Sequence, residues 1–331
     1  MAGKVKYFYE LTVSSSPHIH SPNRAWRIML DVILALLPAL GWSVAAFGFR
    51  ALTLTAVSVA GCVFFEWGYR KITKKDNTVG DLSAVVTGML LAFVCPVTLP
   101  YWTILVGDFF AIVVVKQLFG GIGQNFMNPA LGARAFLFSW AVLMTGFVGY
   151  GTWPGLGMSV DAVTSATPLE ALHGGNLPGL SVWELFLGKT GGSMGEISSL
   201  MLLLGGAYLV IRKVISLRIP LAYLGTVAVL TFLFPRGSDS LTWMASQLFS
   251  GGLMLGAIFM ATDYTTSPLL HGGQVVYGIG CGALTVFFRY FGLFPEGVTY
   301  AILLMDAFVW IIDRYTSPRR FGVKKGAGQN G

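Results

Sequence analysis

The feature that most constrains this chain is a series of apolar segments, each close to the length that crosses a lipid bilayer. Of the 331 residues, 54% are hydrophobic and 11% are charged, whereas soluble domains carry about 25% charged residues. A spanning helix needs about 20 predominantly apolar residues. The pattern predicts an all-α polytopic membrane protein with about ten transmembrane helices, at residues 26–48, 51–69, 82–97, 100–118, 130–149, 197–211, 218–234, 244–262, 275–293 and 298–313.

The cations are distributed as in a membrane protein. A net charge of +7 does not indicate nucleic-acid binding here, because the charges lie in short runs between apolar segments. With the N-terminus in the cytoplasm and alternating spans, 17 of the 22 Lys and Arg residues lie inside, 4 lie outside (Arg50, Lys189, Arg236 and Arg289), and Arg134 lies within a span. Positive charge favours the cytoplasmic side. We therefore expect both termini in the cytoplasm and the connection 150–196 outside.

Two features predict an inverted repeat with broken helices. The third segment is short and interrupted, ending at Cys95-Pro96 and Pro100, and such breaks are tolerated only where protein or a cavity satisfies the freed backbone groups. Residues 119–136 align without gaps on 291–308, with five identical positions. Because each half has an odd number of spans, the two five-helix halves are expected to be inverted, as in many transporters. The halves are residues 1–149 and 197–331.

A polar motif, Asp161–Glu170, lies in the long outer connection. It has the pattern of a helix start, with Thr167 as N-cap, Pro168 at the first position and Glu170 completing a capping box. The helix is expected to stop at Gly174-Gly175. A helix N-terminus also presents unpaired N–H groups that suit a phosphate. A phosphate esterified to the Thr167 hydroxyl is therefore compatible with the motif, although the pattern alone does not require one.

The segment Asp161–Thr167 resembles the flavinylation motif of the D subunits of Rnf electron-transport complexes, with Ser165 where glycine is common. The B subunit of the sodium-translocating NADH:quinone reductase is similar. The stretches SPHIHS, GGIGQNFMNPALGAR, GEISS and ATDYTTSP also resemble this family, so the likeness extends over the chain. In the family a flavin transferase attaches FMN to the last threonine. The resemblance implies covalent FMN on Thr167 as a phosphoester, beside Asp161, Thr164, Ser165 and Ala166.

The resemblance also implies a function and partners. The chain would be a membrane flavoprotein subunit passing electrons between flavins in an ion-translocating ferredoxin:NAD oxidoreductase, in a bacterial inner membrane. Three cysteines without a CxxC pair do not supply the roughly four thiolates of an iron–sulfur cluster. No complete active site is expected in this chain alone. The implied partners are iron–sulfur, NADH-binding and second FMN-bearing subunits, a flavin transferase and membrane lipid.

A second, non-covalent flavin is expected near the cytoplasmic side, and the resemblance implies that it is riboflavin, because members of the family carry riboflavin as well as FMN. An outer FMN is separated from the inside by about 30 Å of hydrocarbon, so an inner relay is needed. The inner connections Gly120–Pro129 and Thr262–Pro268 are the richest in glycine and polar residues. The candidate ligands, which offer the donors and acceptors that a flavin edge needs, are Asn125, Asn128, Asp263 and Thr265. The alternative is that these connections are only tight turns and helix caps.

Charged residues inside spans give further hypotheses, because such groups need partners or a function. We expect local pairs between Arg27 and Asp31 and between Glu66 and Arg70. The repeat aligns Arg134 with Asp306 and predicts an ion pair between them, whereas Arg134 could instead bind a flavin or a lipid. Asp108 is a candidate ion-pathway residue, with a plain inter-helix hydrogen bond as the alternative.

A permease or channel with inverted repeats is the competing function for the whole chain. Broken helices and an internal repeat suit a permease. That function leaves the motif Asp161–Thr167 without a purpose.

Overall fold

The computed structural model of the chain describes residues 25–151, 167–237, 239–292 and 295–317. Within these ranges the chain is helical and has no β-strand. The N-terminal helices are α1 (Ala25–Phe47), α2 (Phe49–Ile72), α3 (Ser83–Phe93), α4 (Tyr101–Phe109, continuing as a π-helix over Phe110–Gln117), α5 (Pro129–Leu137) and α6 (Ala141–Met144).

Two short helices lie in the connection between the halves, α7 (Pro168–His173) and α8 (Val182–Leu187). The C-terminal helices are α9 (Ser199–Ile211), α10 (Arg218–Leu233), α11 (Ser240–Phe249), α12 (Leu253–Leu255, continuing as a π-helix over Gly256–Met260), α13 (His271–Phe291) and α14 (Val298–Thr316). Each apolar segment found in the sequence thus coincides with a helix or a broken helix.

Two helices and one bent pair of helices in the described part of the chain have the length and composition of membrane-spanning segments. By length and apolar composition, α1 and α2 can each cross a bilayer, and α11 with α12 forms a third candidate that is bent by 64°. Shorter apolar helices lie at residues 83–93, 129–144, 199–211 and 218–233. Large apolar side chains such as Leu37, Phe64 and Phe232 are exposed on the outer faces of the helices. The chain is therefore a helical, multi-pass membrane protein.

The break after α3 is closed by protein groups, as the sequence predicts. Arg50, at the start of α2, is buried and donates from Nε to the carbonyl oxygen of Val97 at 2.8 Å. Its Nη2 atom donates to the carbonyl oxygens of Thr98 and Leu99 at 3.3 and 3.4 Å. The backbone of residues 194–195 donates to two further carbonyl oxygens of the same break. The helix can end in the membrane because its carbonyl oxygens are hydrogen-bonded.

The bend between α11 and α12 is stabilised in a similar way, and the sequence analysis did not foresee where this helix breaks. Arg289 of α13 is buried and donates to the carbonyl oxygens of Gln247 at 2.5 Å and Ser250 at 2.9 Å. Gly251 follows with a φ of +68°, which glycine adopts without strain. Two buried arginines from neighbouring helices therefore each hold one broken helix.

Asp31 pairs with Arg212 and Tyr208, so the predicted pairing with Arg27 was wrong. The Asp31 carboxylate accepts from the Tyr208 hydroxyl at 2.9 Å and from Arg212 Nη2 at 3.2 Å. Both partners lie at the C-terminal end of α9, which packs along α1. The pair connects the two halves of the chain, a contact that local spacing along α1 does not reveal.

Candidate functional site

An inner pocket lies where the two predicted polar connections meet. It encloses about 770 Å³, part of which is open to the surroundings. Its apolar walls come mainly from α1, α3 and α9, and its polar lining residues are Ser83, Thr87, Lys116, Asn125, Asn128, Thr262, Asp263, Tyr264 and Thr265.

All four residues expected to bind riboflavin line this pocket. The Asn125 side-chain amide donates to the Thr265 hydroxyl at 3.1 Å, which joins the two connections. Asn128 caps α5, since its Oδ1 atom accepts from the backbone N–H of Ala130 at 3.0 Å. Asp263 accepts from the Thr265 hydroxyl at 3.0 Å. These residues therefore form turn and cap bonds, as expected if the two connections are tight turns and helix caps. The same residues also line one cavity.

A buried charged network borders the inner pocket, and it replaces the predicted Glu66–Arg70 pair. Lys116 Nζ lies 3.0 Å from Glu66 Oε2 and donates to the Ser83 hydroxyl at 2.6 Å. Glu66 also accepts from Gln117 at 2.7 Å and from Thr78 at 2.8 Å. The sequence analysis placed Lys116 only as an inner cation. The π-helical turn that carries it sets which face of α4 meets Glu66, and hydropathy carries no signal for that.

An outer pocket of about 380 Å³ has Thr167 in its lining. The other lining residues are Phe147, Pro168, Leu169, Leu185, Thr190, Gly191, Gly192, Ser193, Glu196, Ile197, Phe249, Ser250, Gly251 and Glu296. The hydroxyls of Ser193 and Ser250 are buried and have no hydrogen-bond partner among the described residues. A pocket with unsatisfied buried donors is suited to a polar ligand.

Thr167 occupies the helix-start position that the sequence predicts. It is half-buried, and its hydroxyl accepts from the backbone N–H of Glu170 at 3.3 Å at the start of α7. The helix ends at His173, before Gly174 and Gly175. The predicted motif residues Asp161, Thr164, Ser165 and Ala166 lie outside the described residues.

The next helix, α8, begins with a complete capping box that the sequence analysis missed. Ser181 and Glu184 bond each other's backbone N–H groups. The backbone N–H and the hydroxyl of Ser181 lower the pKa of Glu184. The spacing Ser-x-x-Glu was the available signal. The cap fixes where α8 starts, and Leu185 of this helix lines the outer pocket.

The predicted ion pair between Arg134 and Asp306 was wrong. Arg134 of α5 is buried and donates to Glu196 at 3.0 Å and to Glu296. Both carboxylates line the outer pocket. Asp306 of α14 accepts from the Tyr277 hydroxyl at 2.6 Å and from the backbone N–H of Asn128 at 3.1 Å. Equivalent positions in a repeat need not touch when each lies off the axis.

The two pockets lie at opposite ends of the same helices. Met29, near the start of α1, lines the inner pocket. Near the other end of α1, Trp42 and Ser43 donate to the carbonyl oxygens of Gly188 and Met194, which flank the outer pocket residues 190–193. At 1.5 Å per residue, the rise from Met29 to Ser43 is about 20 Å. The two cavities therefore lie near opposite ends of α1.

Comparison with known proteins gives one family. The model of the NQR2, RnfD, RnfE family matches residues 12–322. The D subunit of the Na(+)-translocating ferredoxin:NAD(+) oxidoreductase complex of Acetobacterium woodii is 48% identical over 324 residues, covering 95% of this chain and 96% of the relative. The D subunit of the proton-translocating ferredoxin:NAD(+) oxidoreductase complex of Clostridium ljungdahlii is 40% identical, covering 95% and 97%. The D subunit of the ion-translocating oxidoreductase complex of Stutzerimonas stutzeri is 39% identical, covering 89% and 92%.

Proposed function

This chain belongs to the NQR2, RnfD, RnfE family and within it groups with the D subunits of Rnf-type complexes, and we propose that it passes electrons between flavins across the membrane. It is a membrane subunit of an ion-translocating oxidoreductase complex, as its relatives are named. In the proposed function, electrons move between ferredoxin and NAD through flavins held by this chain and its partner subunits.

The observation that carries the proposal is the pair of pockets at opposite ends of the helix bundle. A single outer flavin would leave most of the bilayer between itself and the cytoplasm. The rise of about 20 Å along α1 between Met29, at one pocket, and Ser43, beside the other, allows two stations, so no single electron transfer has to cross the whole membrane. A flavin supplies one- or two-electron redox chemistry when it is bound.

The outer station would be FMN attached to Thr167. Thr167 is half-buried and lines the pocket, so a phosphoester on its hydroxyl would attach the flavin at this pocket. Gly191 and Gly192 line the wall without side chains, and the unpartnered hydroxyls of Ser193 and Ser250 can bond a polar ring edge. These residues fit the group. By the resemblance to the family, a flavin transferase would attach the FMN.

The inner station would be non-covalent riboflavin. The pocket combines apolar walls with Asn125, Asp263 and Thr265 along one side, which is the composition of a small-molecule site. Lys116 at the edge is neutralised by Glu66, so the pocket suits an uncharged ligand better than a phosphate. Riboflavin lacks the phosphate of FMN and meets that requirement.

The proposal includes an architecture of ten spans in two inverted halves, residues 1–149 and 197–331, joined by the outer flavin-bearing region 150–196. The packing of α1 on α9 and of α5 on α14, which are equivalent helices in the repeat, supports it. Arg50 and Arg289, two of the four cations assigned to the outer side, are buried in the protein. Lys189 and Arg236 then remain as the outer cations, so the excess of positive charge on the proposed cytoplasmic side is larger. Both termini would then face the cytoplasm of a bacterial inner membrane.

The proposed partner subunits supply redox groups for which this chain has no ligands. The chain has no closely spaced set of four cysteines, and its three cysteines are buried and free. We propose that iron–sulfur and NADH-binding subunits, with a second FMN-bearing subunit, bring electrons to this chain and remove them, and that membrane lipid surrounds its apolar faces.

The proposal is tested on the purified complex in two steps. Acid extraction should release riboflavin, and the denatured chain should still fluoresce in a gel under ultraviolet light because its FMN is covalent. Replacing Asn125 and Asp263 together by alanine should abolish the releasable riboflavin and leave the gel fluorescence intact. A permease with inverted repeats would give neither signal. Riboflavin that survives the double substitution would move its site elsewhere.

A further inference from the structure

Asp108 of α4 is fully buried where α2, α3 and α4 meet. Its Oδ1 atom lies 2.6 Å from the Ser58 hydroxyl oxygen and 3.3 Å from the Cys62 sulfur, both on α2. The same Ser58 oxygen lies 3.0 Å from the backbone carbonyl oxygen of Gly88 on α3. Three oxygen atoms from three helices are therefore joined by two contacts of hydrogen-bond length.

The number of protons available to these contacts decides the protonation state of Asp108. A serine hydroxyl carries one proton, and neither a backbone carbonyl nor an ionised carboxylate carries any. Two separate, linear hydrogen bonds need two protons. When the Ser58 proton goes to the Gly88 carbonyl oxygen, the proton of the 2.6 Å contact comes from the carboxyl group. We propose that Asp108 is an intramembrane proton-binding site, a neutral carboxylic acid that donates to Ser58.

The second carboxyl oxygen supports the same assignment. In the described part of the chain, Asp108 Oδ2 is buried and has no hydrogen-bond partner, and no Lys, Arg or His forms a salt bridge with Asp108. A bare oxygen on a buried ion is costly, whereas the carbonyl oxygen of a neutral acid is tolerated more readily. The nearby titratable side chains do not compensate: Cys62 carries no positive charge, and Lys116 is engaged by Glu66.

Close packing at the junction leaves little room for a metal ion. A Cβ atom added to Gly61 would lie 2.7 Å from Asp108 Oδ2 and 2.8 Å from Leu105 Cδ2. A Cβ atom on Gly88 would lie 2.8 Å from Val59 Cα. The backbones of α2 and α3 touch at that point, and α4 packs against the same face of α2. A proton is the cation that this site accommodates.

The position of the site gives it a function within an ion-translocating subunit. Ionisable groups inside membrane segments commonly mark ion pathways or proton relays. Asp108 lies on the seam between α2 and α4, and Glu66 follows Cys62 by one turn along the same helix. A carboxyl group that holds a proton on this seam can release it toward the inner charged network when the helices separate.

The test is infrared spectroscopy of the intact complex, comparing the unchanged chain with Asp108→Asn. The expected result is the loss of a carboxylic-acid C=O stretching band, because asparagine removes the acid and still donates to Ser58. Asp31→Asn is the matched control, since the Arg212-paired Asp31 should contribute carboxylate bands instead. Loss of carboxylate bands in Asp108→Asn, with no change in the carboxylic-acid region, would overturn the proposal.

Ser58→Ala provides a second measurement that leaves the carboxyl group in place. Because the Ser58 hydroxyl no longer accepts from it, the Asp108 carboxylic acid should show its C=O stretching band at higher frequency. The complex is expected to assemble in an amount that can be measured. A carboxylic-acid region identical to that of the unchanged chain would contradict the donated hydrogen bond. This variant answers the question even where Asp108→Asn does not assemble.

Discussion

Arg134 is the residue whose surroundings most clearly organise the outer site. Its guanidinium group joins Glu196, which precedes α9, to Glu296, which precedes α14, and both carboxylates line the pocket that contains Thr167. Both carboxylates are largely shielded from solvent, so their charges depend on this one cation. The network therefore fixes the starts of two helices and one wall of the proposed flavin pocket.

Arg134→Ala should lower the free energy of unfolding by about 3–5 kcal/mol, because it leaves two buried carboxylates without their partner. Arg212→Ala is the matched control. Arg212 also pairs with a carboxylate, but its side chain is 55% exposed, and the expected loss is about 0–1 kcal/mol. Thermal unfolding of the purified complex measures both. Equal losses for the two variants would contradict the assigned role of Arg134.

Thr167→Ala should abolish the covalent flavin without affecting insertion of the helices, because it removes the attachment oxygen and only one cap bond. Peptide mass spectrometry of the unchanged chain, produced with a competent flavin transferase, should find the 161–173 region heavier by FMN less one water. Thr190→Ala, a threonine of the same pocket, should retain the added mass. An unmodified peptide from the unchanged chain under these conditions would refute attachment at Thr167.

Among the helices, the broken ones are the elements that need the most support. The end of α3 and the bend between α11 and α12 both leave carbonyl oxygens without helical partners, and a buried arginine supplies the missing donors in each case. Because water is absent from the bilayer core, unsatisfied carbonyl oxygens there are costly. The arginines therefore make two interrupted helices possible, and these helices run between the inner and outer pockets.

Arg50→Ala should destabilise the protein by at least about 1–3 kcal/mol, the cost of an orphaned buried acceptor, since up to three carbonyl oxygens lose their donor. The control is Arg236→Ala. Arg236 is exposed and donates to the Tyr290 carbonyl oxygen, so its loss should cost less than about 1 kcal/mol. Unfolding in detergent, followed by circular dichroism, gives both values. Arg50→Ala with the stability of the unchanged chain would show that the break is satisfied by other groups.

At the scale of the whole molecule, the two halves meet along α1 and α9 and along α5 and α14. The Asp31–Arg212 pair ties α1 to α9, while Asp306 of α14 accepts from the backbone at the start of α5. These contacts place the two connections of the inner pocket side by side, although Asn125 and Thr265 are 140 residues apart in the sequence. The site therefore exists only in the assembled pair of halves.

The proposed orientation predicts which side of the membrane each connection occupies. A cysteine at Asn176, which is exposed, should react with an impermeant thiol reagent in intact cells. A cysteine at Asp76, exposed in the α2–α3 connection, should react only after permeabilisation. The native cysteines are buried and give little background. The opposite labelling pattern would reverse the topology.

The sequence by itself determined the elements and their environment. Apolar segments of bilayer length predicted where the helices lie, and Pro96 and Pro100 predicted the break after α3. Thr167, Pro168 and Glu170 predicted the start of α7, and the residues chosen for the inner pocket, Asn125 and Asp263 among them, do face one cavity. Hydropathy, caps and prolines act within a few residues, so one-dimensional patterns are sufficient to find them.

Only the tertiary structure decided which buried charges meet. Local spacing predicted a pair between Glu66 and Arg70, and the repeat predicted a pair between Arg134 and Asp306. In the structure Glu66 pairs with Lys116, and Arg134 pairs with the two glutamates of the outer pocket. Which face of a helix meets its neighbour is set by the π-helical turn of α4 and by close packing at glycines, and both depend on other helices. The free energy of a buried charge depends on a partner at about 3 Å, and the crossing of helices fixes that distance.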